Sequence, residues 1–207
     1  MKITTIGRGS IGGTLARLWT AAGHQVTTLG RDGGDASDAD VVLLAVRHAD
    51  IPAALAGVTG LEGKTVIEAS NRLDGEAPHE GHASNAEYVK TVLGGPTAKA
   101  FNLNFGKLLE GAAQAPNRPD NIWVGDEAAR AAVEQLTHDA GMQPRHAGPL
   151  DRANTQEAFA ALFVAIVNDA DAGLLYYRFA PPEAIYTAWT QPVPVPPPCC
   201  SAGPAPP

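Results

Sequence analysis

The feature that most constrains this chain is Gly7-Arg8-Gly9-Ser10-Ile11-Gly12, a complete G-x-G-x-x-G seven residues from the start. It follows Lys2 to Ile6, which reads as a short buried strand, and it opens a helical pattern. Ile11, Leu15, Leu18, Trp19 and Ala22 recur there at helical spacing. Gly23 can end that helix in a left-handed turn, and Gln25 to Leu29 reads as a second strand. A strand, a glycine turn, a helix and a parallel strand make the right-handed βαβ unit of a doubly wound sheet. Each glycine has a task in such a unit. Gly7 permits the tight turn, Gly9 lets a diphosphate approach the backbone, and Gly12 lets the helix pack closely on the strand. A diphosphate there would meet the free N–H groups and the positive end of the helix. The motif in this context predicts a dinucleotide site that includes Arg8, Ser10 and Ile11.

The end of the second strand predicts which dinucleotide. NAD-type units place a carboxylate there to accept from the ribose hydroxyls. Here that place falls on Gly30, and Arg31 follows. A guanidinium can bind a 2′-phosphate through charge-assisted bonds, so the expected cofactor is NADP(H), with help from Arg8. The alternative is that Arg31 is a solvated surface arginine and Asp32 serves the ribose.

The rest of the chain continues the α/β alternation. Strands are predicted at Val41 to Val46, Lys64 to Ala69, Ala98 to Phe101, Asn121 to Val124 and, at an edge because of Pro144, Gln143 to Ala147. Helices are predicted at Ile51 to Ala56, at Ser84 to Leu93 behind a Ser84/Glu87 capping box, and from a cap at Asp126 to Ala140. Ala153 to about Arg178 reads as one long helix with a wide apolar face. Residues 181–207 hold 10 of the 17 prolines and read as a disordered tail. The expected organisation is a dinucleotide-binding domain at 1–150, a helical extension at 151–180 and the tail at 181–207.

Composition narrows the function classes. A net charge of −7 argues against a nucleic-acid partner, which needs a basic face. No apolar run approaches a membrane span, and no leader precedes the glycine motif, so a cytoplasmic protein is expected. Cys199 and Cys200 stand adjacent in the tail and form neither a disulfide framework nor a metal site. His79 and His82 read as part of a solvated loop rather than as metal ligands. His48 and Lys99 are either structural or in touch with a ligand. Phe159, Phe163, Tyr176 and Tyr177 read as helical positions at core or dimer spacing, with homodimer packing favoured over a ring-stacking platform.

The opening motif, Gly23-His24, Gly30-Arg31, Ala39 to Val46, Val66 to Asn71, Lys99-Ala100-Phe101-Asn102 and Gly148-Pro149-Leu150 together resemble the deazaflavin (coenzyme F420)-dependent NADP oxidoreductases over residues 1–150. The likeness to pyrroline-carboxylate reductases and hydroxyacid dehydrogenases is looser. The resemblance implies hydride transfer between NADP(H) and an F420-type cofactor. It places Ala45, Val46 and Arg47 on the adenosine side and Asn71 near the nicotinamide. It implies no catalytic side chain, since a transfer between two cofactors needs alignment rather than an acid. An NADPH-dependent imine or carbonyl reductase, or a non-enzymatic NADP-binding protein, fits the same residues. The chain departs from the pattern in three ways. Arg31 to Asp40 is too short for a helix and an edge strand, Arg47 and Arg72 stand where proline is common, and little chain is left for a second domain.

Overall fold

In the computed structural model, described over residues 1–72, 76–169 and 173–181, the sheet is built on β4, Val41–Leu44, whose four side chains are all buried. A run apolar at every position suits a strand covered on both faces. β1 (Lys2–Ile6) pairs parallel to it on one side, and β2 (Gln25–Leu29) lies outside β1. On the other side come β6 (Thr65–Glu68) and β7 (Thr97–Lys99), both parallel, then β8 (Asp120–Gly125) antiparallel, then β9 (Gln143–His146). The order is β2-β1-β4-β6-β7-β8-β9. The dipeptide strands β3 (Gly34–Asp35) and β5 (Val58–Thr59) pair only with each other. The short Arg31 to Asp40 segment thus adds no strand beyond β2, as its length implies.

Alternation along the strands divides the core. Ile3, Leu43, Ile67 and Ala98 face α1 (Ser10–Ala21) and α5 (Arg130–Asp139), where Trp19, Val133 and Leu136 meet them. Val42, Leu44 and Val66 face α2 (Ile51–Ala56) and α3 (Asn85–Leu93). The Trp19 indole N–H donates to the Leu136 carbonyl at 2.8 Å, and its ring meets Phe101 edge-on. α1 ends as its glycine predicts, with Gly23 at φ 93° and the His24 N–H on the Trp19 carbonyl. Ser84 caps α3 by accepting from the Glu87 N–H at 3.2 Å.

Several expectations need correction. Asp126 stands at the cap position of the turn that leads into α5, but its carboxylate accepts no bond from that turn; it accepts instead from Lys90 Nζ at 2.7 Å and from the Thr97 N–H at 2.8 Å, which ties α3 to the start of β7. The strands stop short of their apolar runs: β4 ends at Leu44, β7 at Lys99. The chain leaves β7 for α4 (Gly106–Leu109) through Phe101, held at φ 62°, a left-handed conformation costly for an aromatic residue. The last helix, α6 (Ala153–Asp169), ends well before Arg178, and residues 173–181 carry no helix. Tyr177 therefore folds back, with its carbonyl on the Asp120 N–H and its phenol oxygen accepting from the Ile122 N–H. Its ring packs on Phe159 and Phe163, so these aromatics meet within the chain. Burial pushes the Tyr177 phenol up from its ordinary value. Met1–Tyr177 forms one compact unit. The proline-rich segment after residue 181, with both cysteines, lies outside the described residues. Among the described residues no helix is long and apolar enough to cross a membrane.

The strained Phe101 is held by Asn121. Its Oδ1 accepts from the Phe101 N–H at 2.9 Å, and its Nδ2 donates to Thr137 Oγ1 at 2.8 Å. Replacing it leaves a buried donor unpaired. Asn121→Leu is expected to cost about 1–3 kcal/mol of stability in urea unfolding. Leu162→Ser, at an exposed position of α6, should stay within about 0.5 kcal/mol of the parent.

Candidate functional site

The carboxyl ends of β1, β4, β6 and β7 converge on the N-terminus of α1. Gly7 turns the chain at φ 107°, and a Cβ on it would lie 2.3 Å from the Ala45 carbonyl oxygen. A Cβ on Gly12 would lie 2.1 Å from the Gly7 oxygen. A Cβ on Gly9 would meet nothing within 4 Å. The first and third glycines are thus packing necessities, and the second faces open space. No side chain caps α1 and no acidic residue sits in its first turn, so its first amides lack helical partners and face that space.

Beside the loop lies a cavity of about 610 Å³ lined by Gly7, Arg8, Gly9, Gly30, Arg31, Ala45, Val46 and Arg47, with Asp50 on its rim. Eight of the residues singled out from sequence meet here. The Arg8 guanidinium lies against the Gly30 backbone: a Cβ on Gly30 would fall 2.1 Å from its Nη2 and 2.6 Å from its Cζ. A donor fork thus occupies the place that a carboxylate at the end of β2 would take. Arg47 donates from Nε to Asp50 Oδ2 at 2.9 Å. That bond, with the charges of Arg47 and Arg31, holds the Asp50 carboxyl below its ordinary range. Among the described residues Arg8 and Arg31 form no ion pair within 4.0 Å.

On the far side of the α1 N-terminus a second cavity of about 260 Å³ is lined by Ser10, Ile11, Asn71, Asn102, Phe105 and Phe163, among others. Asn71 Nδ2 donates to the Asn102 carbonyl and Asn102 Nδ2 to Asn71 Oδ1, both at 2.8 Å, which clasps the ends of β6 and β7. Gln156 of α6 donates to Asn102 Oδ1 at 2.7 Å and to the Ile122 carbonyl at 3.0 Å. Among the described residues no ionisable side chain lines this cavity. Ser10, Ile11 and Asn71 belong here, whereas Gly12 serves from behind by packing.

Other candidates stand apart. Lys99 is fully buried in an ion cluster with Glu68 and Glu157, and His48 is buried against Asn85. His79 and His82 are not a solvated loop: His79 stacks between His48 and Tyr88, and His82 meets Tyr88 edge-on. Sequence reasoning missed Asp50, whose i, i+3 spacing from Arg47 was the available signal. It also missed Phe105 and Phe163, which reach the site only through the tertiary fold.

No family model matches this chain, and no curated protein matches it. Among solved structures, one from Arthrobacter sp. FB24, provisionally named an F420-dependent NADP reductase, is similar at a TM-score of 0.73 and 20% identity. The match covers 87% of this chain and 100% of that one. A hypothetical protein from Sinorhizobium meliloti gives 0.61 at 24% identity, over 74% of this chain and 88% of that one. A reductive aminase from Aspergillus terreus, in complex with NADPH4, cyclohexanone and allyl amine, gives 0.59 at 14% identity. That match covers 81% of this chain but 61% of the aminase. These likenesses establish the class of the fold: a Rossmann-type α/β protein, doubly wound, with a mostly parallel sheet.

The glycine geometry separates two substitutions that look alike in sequence. Gly12→Ala drives a methyl into the Gly7 carbonyl and should lower stability by about 3 kcal/mol. Gly9→Ala, in open space at the helix cap, should cost no more than about 1 kcal/mol. Thermal melts of the two variants side by side check this.

Proposed function

We propose that this chain is an NADP(H)-dependent oxidoreductase that passes a hydride between NADP(H) and an F420-type deazaflavin. The resemblance of residues 1–150 to that family, and the similarity to the provisionally named Arthrobacter protein, support the reading. The residues present fit the cofactor. The open face of Gly9 and the uncapped α1 amides suit a diphosphate. Arg8, Arg31 and Arg47 ring the adenosine-side cavity with cationic forks suited to a 2′-phosphate. Ala45 and Val46 form the apolar wall against the adenosine half.

The observation that carries the reaction class is the lining of the second cavity. Reducing an imine or carbonyl requires a proton at the substrate heteroatom as well as a hydride. Among the described residues that cavity offers amides and apolar surface but no ionisable group. Bound NADPH supplies the hydride. The task left to this chain is to hold two rings in register and exclude water. Asn71 and Asn102 offer amide donors and acceptors to planar heterocycles, while Phe105 and Phe163 form the dry wall. The similarity to the reductive aminase favours a second reading, a reductase of a small imine or carbonyl.

Titration of intrinsic tryptophan fluorescence should show NADPH bound at least tenfold more tightly than NADH. Arg31→Ala and Arg8→Ala should each weaken NADPH about tenfold, roughly 1.4 kcal/mol, and leave NADH nearly unchanged. Equal affinities, or indifference to both substitutions, would overturn the cofactor assignment. Mixing NADPH with an oxidised deazaflavin should bleach the deazaflavin absorbance at a rate set by the protein. Failure to turn over with NADPH demonstrably bound would sink the deazaflavin step, and turnover of a cyclic imine alone would install the second reading.

A further inference from the structure

The amides that line the second cavity continue inward to α6. Gln156, only 5% exposed, stands behind the clasp of Asn71 and Asn102. Its Nε2 donates to Asn102 Oδ1 at 2.7 Å and to the Ile122 carbonyl of β8 at 3.0 Å, and the Lys99 carbonyl lies 3.5 Å away. A backbone carbonyl can only accept. The Gln156 amide therefore cannot be turned. Its Oε1, which has no partner among the described residues, would then face those carbonyl oxygens. One hydrogen of its NH₂ goes to Ile122 and the other to Asn102.

The direction set at Gln156 runs outward. Asn102 Oδ1 accepts, so the group that meets Asn71 Oδ1 at 2.8 Å is Asn102 Nδ2. Asn71 Nδ2 in turn faces the Asn102 carbonyl at 2.8 Å, again an oxygen that can only accept. Two backbone carbonyls, Ile122 at the inner end and Asn102 at the outer end, thus dictate one orientation for all three side chains. Each side-chain nitrogen donates to the oxygen of the next amide, Gln156 to Asn102 and Asn102 to Asn71. Amides linked head to tail polarise one another, so the last N–H in the row is strengthened as a donor. Asn71 is half-buried, whereas Asn102 is 7% exposed, and Asn71 lines the cavity. One of its two Nδ2 hydrogens goes to the Asn102 carbonyl, and the other is left for a ligand.

We propose that Gln156 is a positioning residue whose amide row makes Asn71 a directed N–H donor to the carboxamide oxygen of a reduced nicotinamide, so that the chain holds NADPH more tightly than NADP⁺. This rests on the cofactor reading above. In a dihydronicotinamide the ring nitrogen shares its electron pair with the carboxamide oxygen by conjugation, and that oxygen gains negative charge. The oxidised ring is cationic and draws the charge away. A hydrogen bond strengthens with the charge on its acceptor, so one fixed donor separates the two forms. Among the described residues the cavity lining holds no carboxylate that would favour the cationic ring. Glu68 and Glu157, behind it, are engaged with Lys99 and do not line it. Tighter binding of the reduced form raises the potential of a bound two-electron couple by about 30 mV for each tenfold. On this chain the exchange leans toward making NADPH.

Titration of the full chain by tryptophan fluorescence reads the proposal as a ratio. The parent should bind NADPH about three- to tenfold more tightly than NADP⁺, the worth of one hydrogen bond. Gln156→Met keeps the length of the side chain and removes its donor. This variant should lose about that factor for NADPH and stay within about twofold of the parent for NADP⁺. A merely loosened α6 would weaken both forms alike; that result, or no change in either, overturns the proposal. Analogues give a second readout on the parent, whether or not the variant folds. The reduced 3-acetylpyridine analogue of NADPH keeps the oxygen but lacks the amide NH₂, and it should bind within about threefold of NADPH. The reduced thionicotinamide analogue offers sulfur, a weak acceptor, and should lose about threefold or more. A large loss with the acetylpyridine analogue, or none with the thio analogue, overturns the proposal. Binding of NADPH without preference over NADP⁺ overturns the role of Gln156 and leaves the cofactor reading standing, whereas binding of neither form removes both.

Discussion

The closeness with which the backbone passes itself at Gly7, Gly12 and Ala45 sets the geometry of the whole carboxyl edge. A Cβ on Gly7 or Gly12 would sit within 2.3 Å of a carbonyl oxygen, far inside van der Waals contact. Because both lack one, α1 starts directly above the ends of β1 and β4, and its unpartnered amides point across the gap at Gly9. The same approach leaves room beside Ala45 and Val46 for the larger cavity and places Ser10 and Ile11 against the smaller one. A helix displaced outward by one methyl group would point its dipole at solvent and separate the walls that now converge.

The second support is polar. Parallel strands end in carbonyl and amide groups that no neighbour satisfies, so the loops beyond them must supply partners. Here that is done by buried and half-buried side chains. Asn121 serves the left-handed Phe101, Asn71 and Asn102 serve each other, and Lys99 binds α6 to the sheet through Glu157. Buried ion pairs seldom add net stability, but losing one partner strands the other. Such a cluster behaves as a locating device. It leaves α6 little freedom to shift relative to β6 and β7, and α6 supplies the Phe163 wall of the second cavity.

Much of this was legible in the sequence, and what was not has identifiable causes. Val41 to Leu44 announces a doubly covered strand because every position is apolar. The glycine motif predicts its turn because only missing Cβ atoms allow it. Ser84 and Gly23 are read correctly because caps are local chemistry. Asp126 is misread because a side chain that can cap a helix can equally accept from Lys90 and the Thr97 amide, and tertiary contacts decide between them. The last helix is overextended because helical periodicity past Asp169 does not reveal that Tyr177 has a better partner in β8. His79 and His82 look like a solvated loop because nothing local betrays a stack that depends on His48, some thirty residues earlier. The candidate residues lie along one sheet edge, but their division into two cavities is not visible in one dimension.

That division has a physical logic. A phosphate monoester and a diphosphate leave water at a high desolvation cost and repay it only where fixed donors and positive charge are waiting. Under the proposed function the larger cavity would provide these with Arg8, Arg31 and the α1 amides, while Arg47 is paired with Asp50. Hydride transfer between flat rings has the opposite requirement. A nearby ionisable group would hold water or exchange protons, and either would interfere with the alignment of two neutral ring faces. The proposed reaction would find in the smaller cavity amides paired to each other and aromatic walls. The Lys99 cluster directly behind it keeps its charges turned away, bonded among themselves. Among the described residues, cationic forks and an uncharged, amide-lined surface lie on opposite sides of one helix terminus, and the proposed reaction depends on that separation.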